Sequence, residues 1–409
     1  MLNLQLSGIK KIEAIAQSSP EYISLSQGAL KLGGIPQKIK NHLQNILTTD
    51  KTDYYQSAWG IMELRKKISS TLSNKYKKHI PVNQIIVSHG CIGALATFLF
   101  TVLDKDDEII IPEPTYPAYE KLAHLVRAKP VFVSCKTLRD AKNFSLSQNI
   151  NDNQWELNLE KIKQAKTTKT KVIIFSNPWN PLGLIVPEKT ILELKNWCEK
   201  NKIYLVIDEA YKDYAFNKNY KSYATLVRDS EYLITTASFS KNMAMSGWRV
   251  GYMITPAKLC KNLGTTQDAL LNCPNVPAQY AAIYALDHPQ LTQSFANTIK
   301  NNLDLCEKYL QSLVKQKIIS YQKPKGGFFL FLKMNLHQIK KQINFKNFGM
   351  STNFNDAEDL CMDILSKAKV ALIPGKFFGK SGAAYLRLCY ARDPEILQEG
   401  LRRLVKYFL

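Results

Sequence analysis

The chain has 409 residues, 45% hydrophobic and 22% charged, the balance of a globular protein able to bury a large core. Lys and Arg outnumber Asp and Glu by 55 to 34, a net charge of +21, but the lysines are spread along the chain without a glycine-arginine tract, an aromatic-basic RNA motif or a zinc spacing, so nucleic-acid binding is not expected. The longest apolar run, "CIGALATFLFTVL", is shorter than the ~20 residues a membrane helix needs, so no membrane span is expected either.

The opening "MLNLQLSGIKKIEAIAQSSP" lacks a basic start followed by an apolar stretch and is not expected to be a secretory signal. Short β-rich runs then alternate with helical patterns. "QIIVSHG" predicts a strand and a helix follows it. "DEIIIPEPTY" predicts the next strand, with a helix in "PAYEKLAHLVRA". "KPVFVSC", "KVIIFSNP", "IYLVIDEA" and "YLITTASFS" read as further strands, and "PEKTILELKNWCEKN" as a helix with proline near its start. Nearly continuous apolar strands between helices predict an α/β domain with a mostly parallel sheet covered on both faces. The polar stretch from Lys136 to Trp155 reads as an excursion between elements.

Near residue 295 the rhythm changes. A long helix, "SFANTIKNNLDLCEKYLQSLVKQ", leads to "GGFFLFLKM", a helix from Ala357 to Lys369, "VALIPG", "AAYLRLCYA" and a terminal helix. This predicts a smaller α+β domain over 296–409 joined by residues 1–45, beside a large domain over 46–295. The eight cysteines form no CxxC, which predicts free thiols in a reducing, cytoplasmic setting.

In α/β sheets functional residues gather at the carboxyl ends of strands. Those ends offer Gly90, Cys91 and Ile92 opening a helix, then Tyr116, Asn180, Asp208 with Tyr211, and Ser238, Ser240 and Lys241. A helix start with free N–H groups suits a phosphate, to which Ser238, Ser240 and Arg249 would add donors. Tyr116 offers a flat face. Asp208, in an otherwise apolar strand, calls for a cationic partner such as a protonated ring nitrogen. Lys241 offers an amine able to bond an aldehyde. A planar, phosphorylated, nitrogen-containing aldehyde with these properties is pyridoxal 5′-phosphate.

"YYQSAWGIMELRKKI", "PEPTYPAY", "NPWNPLG", "VIDEAY", "SFSKNMAMSGWRVGY" and "YLRLCYA" together resemble, in this chain order, the segments of the class I/II aminotransferases, fold-type I of the pyridoxal-phosphate enzymes. The resemblance implies a large domain with a seven-stranded, mostly parallel sheet. It implies that Lys241 is the Schiff-base lysine, that Asp208 faces the pyridine nitrogen, and that Tyr211 and Asn180 donate to the ring oxygen. Tyr116 would stack on the ring. Gly90, Cys91, Ile92, Ser238, Ser240 and Arg249 would cradle the phosphate. Tyr55 would reach the phosphate of the other subunit in a homodimer. Arg387 would grip the substrate α-carboxylate, near Asn180 and the N-terminal Gly28.

The implied reaction moves an amino group from an L-amino acid to a 2-oxo acid. The alternative on this scaffold is a β-eliminating C–S lyase. In one aspartate-using branch a lysine stands where this chain has Ile92, which weakens an aspartate preference.

Overall fold

The computed structural model describes residues 7–137, 155–217, 219–342 and 354–409. Most of the polar stretch expected to be an excursion, from Lys136 to Trp155, lies outside them.

Seven strands form the central sheet: β1 (Ile85–Ser88), β2 (Glu108–Glu113), β3 (Lys129–Ser134), β4 (Thr170–Ser176), β5 (Tyr204–Asp208), β6 (Leu233–Ser238) and β7 (Gly251–Ile254). Their order is β1-β7-β6-β5-β4-β2-β3. Only β7 runs antiparallel to its neighbours. Six strands correspond to the six β-rich runs of the sequence; β7 lies in "GYMI", which the apolar pattern did not single out. Successive side chains of a strand point to opposite faces. Ile173, Phe175, Leu205 and Ile207 accordingly join one apolar cluster, while Val172, Ile174 and Val206 join another. Burial on both faces explains why the strands read as unbroken apolar runs.

Among the helices are, in chain order, α1 (Gly8–Gln17), α2 (Gly90–Val102), α3 (Ala118–Leu125), α4 (Glu188–Asn201), α5 (Phe239–Asn242), α6 (Gln290–Lys315), α7 (Ala357–Ala368) and α8 (Pro394–Phe408). Helix α6 runs through residue 295 without a break. A second, four-stranded antiparallel sheet contains β8 (Ile319–Ser320), β9 (Phe329–Met334), β10 (Ile373–Pro374) and β11 (Tyr385–Cys389), in the order β8-β9-β11-β10. It packs with α6, α7 and α8 around Ile299, Leu330, Ile364, Leu388 and Leu401.

The N-terminal segment joins this second core. Ile23–Ser24 pairs in parallel with Val370–Ala371. Leu25 N–H donates to the Ala371 carbonyl (3.0 Å), and Cys389 N–H donates to the Leu25 carbonyl (2.8 Å). These bonds bring residues 24–31 alongside β11, which carries Arg387. Among the described residues no helix is long and apolar enough to cross a membrane.

Candidate active site

The parallel strands present their carboxyl ends along one edge of the sheet. At that edge lies a cleft of about 550 Å³. Gly28, Cys91, Ile92, Tyr116, Asn180, Asp208, Tyr211, Ser238, Ser240, Lys241, Arg249 and Arg387 all line it. Two of the residues singled out in the sequence do not. Gly90 sits just behind, at the first residue of α2, and Tyr55 is 81% exposed outside the cleft lining.

Asp208 closes β5 and is buried. Tyr119 Oη donates to its Oδ2 (3.0 Å), and the Ala210 N–H (3.0 Å) and Thr236 hydroxyl (3.2 Å) donate to its Oδ1. Burial still raises its pKa above the usual carboxylate range, with those hydrogen bonds opposing the rise. No Lys or Arg pairs with it among the described residues. The carboxylate is solvated by donors but lacks a countercharge.

Lys241 lies in the short helix α5 directly after β6. Its Nζ donates to the Gly28 carbonyl and stands 5.8 Å from the centre of the Tyr211 ring. Burial holds its pKa down at about 8; Cys389 and Cys91 push it up, and Arg387 and Arg249 push it down further. A lysine so placed is neutral in a substantial fraction of molecules near physiological pH. Tyr214 Oη donates to the Lys241 carbonyl (3.0 Å), fixing the turn from the neighbouring segment.

The start of α2 is built to receive an anion. Its N-cap, His89, makes no side-chain capping bond. Burial, reinforced by Arg249, lowers the His89 pKa. The Arg249 guanidinium lies over this helix start, donating to the His89 carbonyl (3.2 Å), to the Ser246 carbonyl (2.9 Å) and to Ser240 Oγ (3.5 Å). Gly90 permits this approach: its φ is +71°, and a Cβ there would lie 2.7 Å from Arg249 Nη2. Ser238 Oγ accepts from Ser240 N–H (3.0 Å) beside it. Free N–H groups, the helix dipole, two hydroxyls and a guanidinium thus converge.

Arg387, on β11, is 1% exposed. Its Nη1 donates to Asn180 Oδ1 (3.0 Å) and its Nη2 to the Ser26 carbonyl (2.6 Å), while its Nε has no partner. The guanidinium carbon stands 4.4 Å from the Phe329 ring centre and 4.7 Å from that of Phe378. No carboxylate pairs with it among the described residues. Asn180 Nδ2 donates to Tyr211 Oη (3.4 Å), so Arg387, Asn180 and Tyr211 form one chain of contacts. Burial keeps the Tyr211 phenol protonated, well above its ordinary pKa.

Sequence reasoning did not single out Tyr119 and Thr236, which hold Asp208, nor Phe329 and Phe378, which flank Arg387. Tyr119 had a signal, lying three residues from Tyr116 in "PTYPAY". The aromatic pair had none, because its members meet Arg387 only through the second sheet.

A sequence profile described as Aminotransferase class I and II matches residues 20–404. A probable aspartate/prephenate aminotransferase of Aquifex aeolicus is 30% identical over 374 residues, covering 91% of this chain and 87% of that protein. A probable aspartate aminotransferase of Methanocaldococcus jannaschii is 29% identical over 413 residues, 99% and 98% of the two chains. The solved structure of an alanine aminotransferase from Pyrococcus furiosus superimposes with a TM-score of 0.83 at 26% identity, covering 98% and 97% of the two chains. These relatives are named as transferases of amino groups, and none lends support to the lyase alternative. The chain belongs to the class I and II aminotransferases, and it is an enzyme of that kind.

Proposed function

We propose that the cleft holds pyridoxal 5′-phosphate and that the enzyme uses it to move an amino group from an L-amino acid to a 2-oxo acid. The observation that carries this reading is a coincidence of charges. Asp208, Lys241 and Arg387 open onto one cleft, and none of them has an opposite charge beside it among the described residues. Each lacks the partner that this cofactor or its amino-acid substrate would supply.

When bound, the cofactor supplies an electron sink for the pair left on Cα once its proton departs. Asp208 would face the ring nitrogen and favour its protonated form, which relieves the cost of burying the carboxylate. Tyr211 and Asn180 would donate toward the ring's phenolic oxygen, and Tyr116 would cover a face. The Gly90, Cys91 and Ile92 N–H groups, with Ser238, Ser240 and Arg249, would hold the phosphate.

Lys241 would anchor the cofactor and, when freed, carry the Cα proton. With a pKa at about 8 its neutral amine is available near neutral pH, which an ordinary lysine's would not be. Arg387 would take the substrate α-carboxylate as a fork, with Asn180 and Gly28 alongside, and so fix which Cα bond faces the reacting centre. Lys10, Lys31 and Lys121 also line the cleft, a basic wall suited to anionic 2-oxo acids. Relatives named as acting on aspartate support a dicarboxylate among the substrates, while Ile92 argues for a different side-chain contact than a lysine there would give.

In this reading residues 46–295 form the cofactor-binding domain, and 1–45 with 296–409 form the small domain. Tyr55, exposed on its own protomer, would complete the phosphate site of a second copy in a homodimer. All eight cysteines are free, which supports a cytoplasmic setting. The test is a panel of L-amino acids against pyruvate and 2-oxoglutarate with the cofactor-loaded protein. The reading expects the new amino acid and the new 2-oxo acid in equal amounts, abolished by Lys241→Ala. Release of pyruvate and ammonia from a cysteine-type substrate, without amino transfer, would overturn it in favour of the lyase.

A further inference from the structure

Glu113 ends β2 on the large sheet and is buried. It meets no lysine or arginine side chain among the described residues; its carboxylate is turned instead to a turn that precedes β11. Oε2 accepts from the Lys380 N–H (3.1 Å) and Oε1 accepts from the Ser381 hydroxyl (3.0 Å). Ser381 Oγ also lies 3.0 Å from Ser134 Oγ at the end of β3. Two residues after Glu113, the Thr115 N–H donates to the Phe378 carbonyl (2.6 Å). The strand ends of the large sheet therefore hold residues 378–381 at four polar contacts.

The turn is shaped for this contact. Gly379 has φ +120°, and a Cβ there would fall on Glu113 Oε2. Phe378, one residue earlier, is 1% exposed, and its ring is one of the two aromatic faces against the Arg387 guanidinium. Glu113 is thus linked through Phe378 to Arg387, although it does not touch that residue. The same β2 end leads within three residues to Tyr116 on the cleft wall.

We propose that Glu113 is a positioning residue: by seating the 378–381 turn against the large sheet it sets the orientation of the Arg387 fork, and hence the affinity for the α-carboxylate common to every amino-acid and 2-oxo-acid substrate. This rests on the reading of Arg387 as the carboxylate grip. A buried carboxylate accepting from an amide N–H and a hydroxyl is a rigid acceptor pair, and its loss leaves the Lys380 N–H unsatisfied and the Ser381 hydroxyl with Ser134 alone at the junction. The turn would then be free to shift, and a fork displaced by a fraction of an ångström loses one arm of a bidentate bond.

The test compares Glu113→Ala, Glu113→Gln and Ser381→Ala as cofactor-loaded enzymes, with steady-state kinetics, the visible absorbance of the bound cofactor, and the dissociation constant of a non-reacting carboxylic-acid inhibitor. Glu113→Ala should raise KM and the inhibitor constant about tenfold and change kcat by less than about threefold, with the absorbance retained. Glu113→Gln can still accept from the Lys380 N–H through its carbonyl and donate to Ser381 Oγ through its amide, so it should restore values close to those of the parent. Ser381→Ala removes one donor and should shift KM in the same direction by a smaller factor; it reads the contact even where Glu113→Ala fails to fold.

Unchanged KM in both Ser381→Ala and Glu113→Ala would overturn the proposal. So would a fall in kcat and absorbance together without a change in inhibitor binding, or a Glu113→Gln variant as impaired as Glu113→Ala. If instead the parent enzyme neither binds the cofactor nor transfers an amino group, it is the underlying reading that fails.

Discussion

Replacing Lys241 with methionine should stabilise the cofactor-free protein near neutral pH, while destroying its activity. An ordinary lysine titrates near 10.5, and Lys241 is held at about 8. Below that value the folded protein must carry a charge that burial opposes. At about 1.4 kcal/mol per tenfold change in an equilibrium, the gap costs roughly 3 kcal/mol. Methionine removes the charge but leaves the Gly28 carbonyl without the Lys241 donor, at a cost of about 1 kcal/mol. The net gain is about 2 kcal/mol at pH 7.

The sign with pH follows from proton counts. Between about 8 and the unfolded value, the unfolded lysine holds a proton that the folded one has released, so parent stability rises with pH across that window. The advantage of Lys241→Met should therefore be greatest below about pH 8 and vanish by about pH 10.5. Urea unfolding of both cofactor-free proteins at equal concentration, over this range, measures it. A variant less stable than the parent at pH 7, or an advantage that does not shrink as pH rises, would refute the idea that burial holds this amine down.

Three further outcomes are expected. Asp208→Asn keeps the hydrogen-bonding shape but not the charge; the cofactor-free protein should melt no lower than the parent at pH 7, because burial disfavours the ionised acid, while transamination falls at least about a hundredfold, read by calorimetry and by product formation. Arg387→Lys keeps the charge but loses the fork and should lower kcat/KM about a hundredfold, roughly 2.7 kcal/mol, for every amino donor in steady-state assays. Tyr55→Phe should weaken cofactor retention about tenfold and leave the parent's sedimentation behaviour unchanged, since only the phenolic hydroxyl would reach a second copy.

Much of this site was legible because of how parallel sheets are built. Apolar strands buried on both faces leave unbroken runs, and a run's carboxyl end marks the edge where chemistry gathers. Asp208 stood out as an acid ending such a run, and Lys241 as an amine just past another. What escaped notice depended on contacts distant in sequence. Strand β7 is short, antiparallel and follows directly on the Arg249 turn, so "GYMI" gave no separate apolar run. The Gly28 carbonyl meets Lys241 across 213 positions, and Phe329 and Phe378 meet Arg387 only once the second sheet forms. Glu113 reads as one acid in "PEPTY"; its role emerges only where the 378–381 turn closes over it.

Function in this enzyme would hang on a covalent attachment at one amine. Protein loaded with pyridoxal 5′-phosphate should be treated with borohydride, digested, and its peptides weighed by mass spectrometry. The cofactor's mass should be fixed on the peptide containing Lys241 and on no other lysine, with the label lost when amino donor is added first. A parent protein that takes up no cofactor, or a label spread over surface lysines while Lys241 stays bare, would contradict it.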